Sequence, residues 1–88
     1  MTPDVVACSL RILRRKAVAR GTPLRVRAAL CRFLARARYA REDDVEMIVT
    51  MSCKLTFGDA SIDDVEGAVR TALYFARYDH PSAFAHPG

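Results

Sequence analysis

The sequence lacks tryptophan and holds only three cysteines among 88 residues. Their number is odd and no pair has metal-ligand or redox spacing, which argues against a disulfide framework and against a zinc site. Cys8, Cys31 and Cys53 lie among apolar neighbours, so we expect all three to be buried in the core. This cysteine usage is typical of a reducing compartment and predicts a cytoplasmic protein.

Long hydrophobic runs are also absent. No apolar run approaches the roughly 18 residues that cross a bilayer, and residues 1–10 lack the pattern of a secretory leader. A soluble, unprocessed chain with no membrane partner is therefore expected. A chain this short buries only about 60–65% of its unfolded surface, so it predicts one small domain and excludes an enzyme with separate cofactor and substrate lobes.

Recognisable catalytic motifs are missing as well. The sequence has no glycine-rich phosphate loop, no nucleophile elbow and no His/Glu pair at helical spacing. The acid pairs at 43–44 and 63–64 are typical of helix starts, where the helix dipole favours carboxylates. His80 and His86 lie in a proline-flanked tail, which indicates a linker more than a metal site. We therefore predict no catalytic residue, metal, cofactor or small-molecule substrate, and a protein that is not an enzyme.

Acidic residues are nearly absent from the first half of the chain. Residues 1–41 hold eleven basic residues and one acid, a net charge of +10, whereas residues 42–88 hold three basic residues and nine acids, a net charge of −6. Ten of the eleven basic residues are arginine, whose planar guanidinium suits phosphate and carboxylate. The asymmetry predicts an anionic partner, and it leaves open whether the two halves pair with each other.

Helix start signals and apolar spacing predict helices at about 3–20, 23–40 and 62–78. Ser61 and Asp64 have the spacing of a capping box for the last of these helices. Residues 1–78 are expected to form a single helical domain, and residues 79–88 an extended or frayed tail. The predicted fold is an all-α, compact four-helix domain with short connections.

The remaining segment, residues 45–57, has two interpretations. Its apolar and polar residues alternate, which is typical of a strand, whereas the acids before it and Gly58 after it favour a helix. A lone strand would expose an unpaired edge, so we prefer the helix. The alternative is that residues 46–57 form a strand paired across a dimer. As a helix, the segment presents an apolar face that is a candidate protein or homodimer interface: Met47, Met51 and Leu55.

The basic residues of the first two predicted helices form the strongest candidate surface. On a helical wheel Arg25, Arg32 and Arg36 lie within about 40° of one another. If the two helices pack side by side, their outer faces would form a continuous cationic surface, and nucleic acid is the commonest partner of such a surface. The candidate nucleic-acid-binding residues are Arg11, Arg14, Arg15, Arg25, Arg32 and Arg36.

Two functions follow as hypotheses. The first is a small non-enzymatic regulatory protein that binds nucleic-acid backbone through these arginines. The alternative is an inhibitor or adaptor that docks on a regulator or enzyme, for example at an acidic protein surface, with Tyr74 and Tyr78 as interface anchors. The last helix opens with acids that phosphates would repel, so any reading of DNA bases would fall to the first or second predicted helix, and sequence specificity stays open.

Overall fold

The computed structural model describes the backbone of residues 2–79 and the side chains of residues 2–77. The four helices are α1 (Pro3–Val18), α2 (Leu24–Ala37), α3 (Glu42–Thr56) and α4 (Ile62–Asp79). Within residues 2–79 there is no strand. The all-α four-helix fold is therefore confirmed, and the alternative of a strand at 46–57 is wrong. Helix α4 extends one residue into the predicted tail, whose residues 80–88 lie outside the described part.

Helix α3 shows why the alternating pattern was ambiguous. Its buried residues Ile48, Val49, Ser52 and Leu55 recur at the spacing of one helical face. One of them is polar: the hydroxyl of Ser52 is fully buried and has no hydrogen-bond partner among the described residues. A helix satisfies its own backbone groups, whereas a single strand would have left them unpaired. The segment therefore folds as a helix that buries four residues against the rest of the domain.

Helix α1 begins as the sequence predicts and ends earlier. Thr2 caps the helix, because its Oγ1 accepts a hydrogen bond from the Val5 N–H at 3.3 Å, and Pro3 occupies the first turn. The helix ends at Val18 because Ala19 has extended backbone, with ψ 135°. Residues 19–23 therefore form a longer connection than the two residues left between the predicted helices at 3–20 and 23–40.

Helices α2 and α4 begin in different ways. Pro23 occupies the N-cap of α2 and no side chain caps that helix, which begins at Leu24, one residue after the predicted start. At α4 the predicted capping box is present: the Asp64 N–H donates to Ser61 Oγ and the Ser61 N–H donates to Asp64 Oδ2, both at 3.1 Å. The hydrogen bonds from the Ser61 backbone and side chain lower the pKa of Asp64. Its stabilising contribution is therefore present at neutral pH and is lost as the pH falls through that lowered pKa.

Helices α2 and α3 form the centre of the bundle, because each of them contacts all three other helices. Helices α1 and α4 lie on opposite sides and, in residues 2–79, do not contact each other. A cavity of about 350 Å³ is lined by the first residues of both α1 and α3, so these two helices begin at the same end. Residues 19–23 and 57–61 form the loop end of the bundle, opposite to it.

The core contains the apolar stripes that the sequence predicts. Its largest fully buried apolar side chains are Phe33, Leu13, Leu30, Ile48, Val49, Val65 and Val69. Small residues also lie in the core, and Ala29, Ala72 and Ala76 are almost completely buried. Small side chains allow neighbouring helices to approach closely, so helix packing depends on these alanines as much as on the large residues. None of the helices in the described part is long and apolar enough to cross a membrane.

The cysteines are placed differently from the prediction. Cys8 and Cys31 are exposed and Cys53 is only half-buried, so the expectation of three core cysteines is wrong. Cys8 lies about 140° around α1 from the buried Leu13, which puts it on the outer side of the helix. Burial raises the pKa of the Cys53 thiol, and the nearby charge of Lys16 offsets part of that increase.

Gly58 ends α3 in the geometry of a Schellman motif. Its φ is +80°, the left-handed region that glycine adopts readily. The Asp59 N–H donates to the carbonyl of Lys54 at 2.8 Å, and the Gly58 N–H donates to the carbonyl of Leu55 at 3.1 Å. The predicted stop signal at Gly58 is therefore confirmed with its specific hydrogen bonds.

Two glycine-to-alanine substitutions are expected to change stability in opposite directions. Gly58→Ala should lower the free energy of unfolding by about 1 kcal/mol, because alanine is strained at positive φ. Gly67→Ala should raise it by about 0.5–1 kcal/mol, because Gly67 lies inside α4, where an added methyl group meets nothing within 4 Å. Urea unfolding of both variants tests this pair. Changes of the same sign in the free energy of unfolding would contradict the assignment of a positive φ to Gly58 and of an open position inside α4 to Gly67.

Candidate nucleic-acid interface

The candidate arginines lie on two helices that pack side by side. Helices α1 and α2 contact each other along the bundle, and Cys31 Sγ on α2 lies 4.0 Å from the carbonyl of Ala17 on α1. Five of the six candidate arginines are exposed and Arg36 is half-buried. Those on α1 are Arg11, Arg14 and Arg15, and those on α2 are Arg25, Arg32 and Arg36.

Among the described residues, these arginines form no ion pair with the acidic half of the chain. The ion pairs Arg41–Asp44 (Nε to Oδ2, 2.8 Å) and Arg70–Glu66 (3.5 Å) join residues three or four apart in sequence. Within the described residues, none of the six candidate arginines lies within 4.0 Å of a carboxylate oxygen. The guanidinium groups of the six arginines therefore remain available for an external anion.

The two groups of arginines form separate rows. Cys31 marks the side of α2 that faces α1, and Arg32, the next residue, lies about 100° further around the helix. The exposed Ala28 and Ala35 lie between them on the helical wheel. The cationic surface is therefore two rows of arginine separated by a strip of small side chains, and it is less continuous than the sequence suggested.

Acidic residues approach the cationic surface near the loop end. Arg25 lines a cavity of about 430 Å³ together with Ser61 and Asp63 at the start of α4. Arg25 and Asp63 form no ion pair, but the carboxylate lowers the positive potential around this arginine. Arg32 differs, because its guanidinium lies 5.7 Å from the ring centroid of the buried Phe33. The core therefore helps to orient Arg32.

The predicted apolar interface on α3 is only partly accessible. Met47 is exposed and Met51 is half-buried, whereas Leu55 belongs to the core. Leu55 lies seven residues after Ile48, two helical turns along the buried stripe, and therefore faces inward. The expectation of one exposed face containing all three residues is wrong, and the homodimer remains a prediction.

An aromatic cluster lies on α4. Tyr74 and Phe75 are exposed, and their rings meet edge to face with centroids 5.6 Å apart. The guanidinium of Arg41, from the connection between α2 and α3, lies 5.4 Å from the Phe75 centroid. Sequence reasoning proposed Tyr74 but missed its grouping with Arg41, which is 33 positions away and unconnected by any local spacing. The side chain of Tyr78 lies outside the described residues.

Two further side chains were also missed. Lys16 Nζ lies 5.0 Å from the ring centroid of Phe57, a contact between α1 and the end of α3. Arg27 is half-buried, and its Nε is buried without a hydrogen-bond partner. An unpartnered buried N–H carries a desolvation cost, so Arg27 is less suited to an exposed anion than its neighbours.

The fold and surface define a small all-α domain with two rows of arginine that form no ion pair within the described residues. In the part of the chain that the structure describes, no group of three or more His, Cys, Asp or Glu side chains could hold a metal ion. Comparison of the chain with protein-family models, with curated proteins and with solved structures finds no match. Any statement about function therefore depends on the residues themselves.

Proposed function

We propose that the protein is a small non-enzymatic regulator that binds nucleic-acid backbone through the arginine rows of α1 and α2. The observation that carries the proposal is the absence of ion-pair partners for all six arginines in the described structure. An arginine held by a carboxylate would have to exchange that partner for a phosphate. When an unpaired arginine contacts a phosphate, the binding free energy includes the full release of counterions from the nucleic acid.

The spacing of the rows supports contact with phosphates more than with bases. The axes of packed helices lie about 8–10 Å apart, so α1 and α2 present two parallel lines of positive charge. The line on α2 extends along a helix of 14 residues, which is about 21 Å long. The exposed side chains of α2 between the rows include Ala28 and Ala35, which cannot hydrogen-bond to base edges. We therefore propose binding that depends on charge and is insensitive to nucleotide sequence.

A salt series tests the proposal with two variants of equal net charge. Arg25→Ala, Arg32→Ala and Arg36→Ala together should reduce affinity for a generic duplex or single strand at least about tenfold at low salt, because up to three phosphate contacts are lost. The slope of log affinity against log salt should also become shallower by about 2–3 for the duplex. Fluorescence anisotropy of a labelled oligonucleotide measures both quantities.

The control removes three basic residues from the second half of the chain. Lys54→Ala, Arg70→Ala and Arg77→Ala together change net charge by the same amount, but none of these residues lies on α1 or α2. We expect this variant to retain most of the affinity and the original salt slope. Equal losses of oligonucleotide affinity in both variants would mean that overall charge alone drives binding. No binding by the unmodified protein at low salt would refute the proposed function.

The aromatic cluster on α4 supports a second candidate, docking on another protein. Tyr74, Phe75 and Arg41 combine exposed rings with a guanidinium, and tyrosine and arginine dominate the energetics of protein interfaces. This candidate gains weight if the oligonucleotide assay shows no binding. A protein partner would then be expected to remain bound at moderate salt and to be lost with Tyr74→Ala.

A further inference from the structure

The three most exposed large apolar side chains of the described structure lie at the loop end. Phe57 is 75% exposed, Val18 is 74% exposed and Leu24 is 71% exposed. Val18 ends α1, Leu24 begins α2 and Phe57 follows α3. A cavity of about 390 Å³ is lined by residues 21–23 of one loop and by Gly58 of the other, so the two loops meet. The three apolar side chains therefore flank a single end of the molecule.

Basic side chains accompany this apolar group. Lys16 stacks against Phe57, with Nζ 5.0 Å from the ring centroid, and Ile12 lines a small cavity with both residues. In the described structure none of the basic residues near this end forms an ion pair. They are Arg15, Lys16, Arg20, Arg25 and Lys54. They outnumber the acids in the same region, which are Asp59, Asp63 and Asp64.

We propose that the loop end docks on the surface of a bilayer that contains anionic lipid. Val18, Leu24 and Phe57 would enter the boundary between headgroups and acyl chains, and the surrounding cations would contact lipid phosphates and carboxylates. Long basic side chains suit this position, because their methylene stems contact apolar groups while the charges stay in water.

A bilayer explains the aliphatic members of the group better than nucleic acid does. Bases stack on aromatic rings, so a single strand could use Phe57 but would gain little from Val18 or Leu24. The proposal departs from the expectation of no membrane partner, which depended on the lack of a spanning segment. Docking by one end of a folded domain needs no spanning helix. The two proposals share Arg15 and Arg25, but Leu24 and Phe57 belong only to the bilayer proposal, so substitutions at these two residues test it separately from the proposed function.

Sedimentation with lipid vesicles provides the test. The unmodified protein should bind vesicles of phosphatidylcholine with about 30% phosphatidylserine, and bind pure phosphatidylcholine vesicles much more weakly. The double variant Leu24→Ser, Phe57→Ser should bind the anionic vesicles at least about tenfold more weakly, because two inserted side chains are lost. The control variant Met47→Ser, Phe75→Ser removes two exposed apolar side chains away from the loop end, and should bind within about twofold of the unmodified protein.

Thermal unfolding should show that both double variants fold, since all four residues are at least partly exposed. Absence of binding to anionic vesicles would overturn the proposal, as would full binding by the Leu24→Ser, Phe57→Ser variant, which would indicate adsorption by charge alone. The same variant should bind the labelled oligonucleotide as the unmodified protein does. Lost oligonucleotide affinity with retained vesicle binding would assign the loop end to nucleic acid instead.

Discussion

Replacing Phe33 with alanine is expected to lower the free energy of unfolding by about 3–5 kcal/mol. Phe33 is completely buried in α2, the helix that contacts α1, α3 and α4. Its removal would leave a cavity that no single neighbouring helix can fill without losing its contacts with the others. A domain of this size has a total stability of roughly 5–10 kcal/mol, so the variant should lose a large fraction of it and unfold at a much lower urea concentration.

The same substitution at Phe57 provides the control. Phe57 is mostly exposed, and its contact with Lys16 is the interaction that alanine would remove. We expect Phe57→Ala to cost about 1 kcal/mol or less, the value of an exposed cation–π contact. Urea unfolding monitored by circular dichroism measures both variants. Similar losses at the two positions would show that Phe33 does not occupy the centre of the core.

The helices were predictable because their ends are marked locally. The Thr2–Pro3 start, the capping box of Ser61 and Asp64, and the stop at Gly58 each depend on residues within a few positions. Where such marks are weak, the predicted boundary failed: α2 ends at Ala37, three residues before the expected end. Local sequence therefore determined where helices form and was less informative about where they stop.

The orientation of each helix depends on distant partners, which local spacing does not reveal. Leu55 looked like part of an exposed face with Met47, yet it points into the core because α3 lies at the centre of the bundle. Cys8 and Cys31 show the opposite error. They have apolar neighbours in sequence and yet are exposed on their helices. Contacts such as Lys16 with Phe57 join positions 41 residues apart.

The charge asymmetry was visible in the sequence, but its consequence was not. The basic half could have folded against the acidic half, and then the candidate arginines would have been internal partners. The described ion pairs are instead local, as in Arg41–Asp44, and the arginine rows remain unpaired. Arg25 and Asp63 line one cavity, which brings an acid close to one of the candidate arginines. The fold therefore turns most of the basic surface outward, where an anionic partner can reach it.

Enlarging a buried alanine should also disturb the packing of α2, with a smaller loss of stability than the removal of its phenylalanine. Ala29 is completely buried, so the three extra carbon atoms of Ala29→Leu have to displace neighbouring side chains of the core. Overpacking of this kind costs about 1–3 kcal/mol. We therefore expect the urea midpoint to fall with little change in the slope of the transition.

Ala28, the adjacent residue, is exposed on the same helix and provides a matched control. Ala28→Leu adds the same atoms and changes helix propensity equally, so it should shift stability by no more than about 0.5 kcal/mol. The difference in the free energy of unfolding between Ala29→Leu and Ala28→Leu then measures only how closely α2 packs against its neighbours. If Ala29→Leu were as stable as Ala28→Leu, the helices would have to be further apart than buried alanines imply. Phe33 would then be surrounded by looser packing, and the expected loss in Phe33→Ala would fall accordingly.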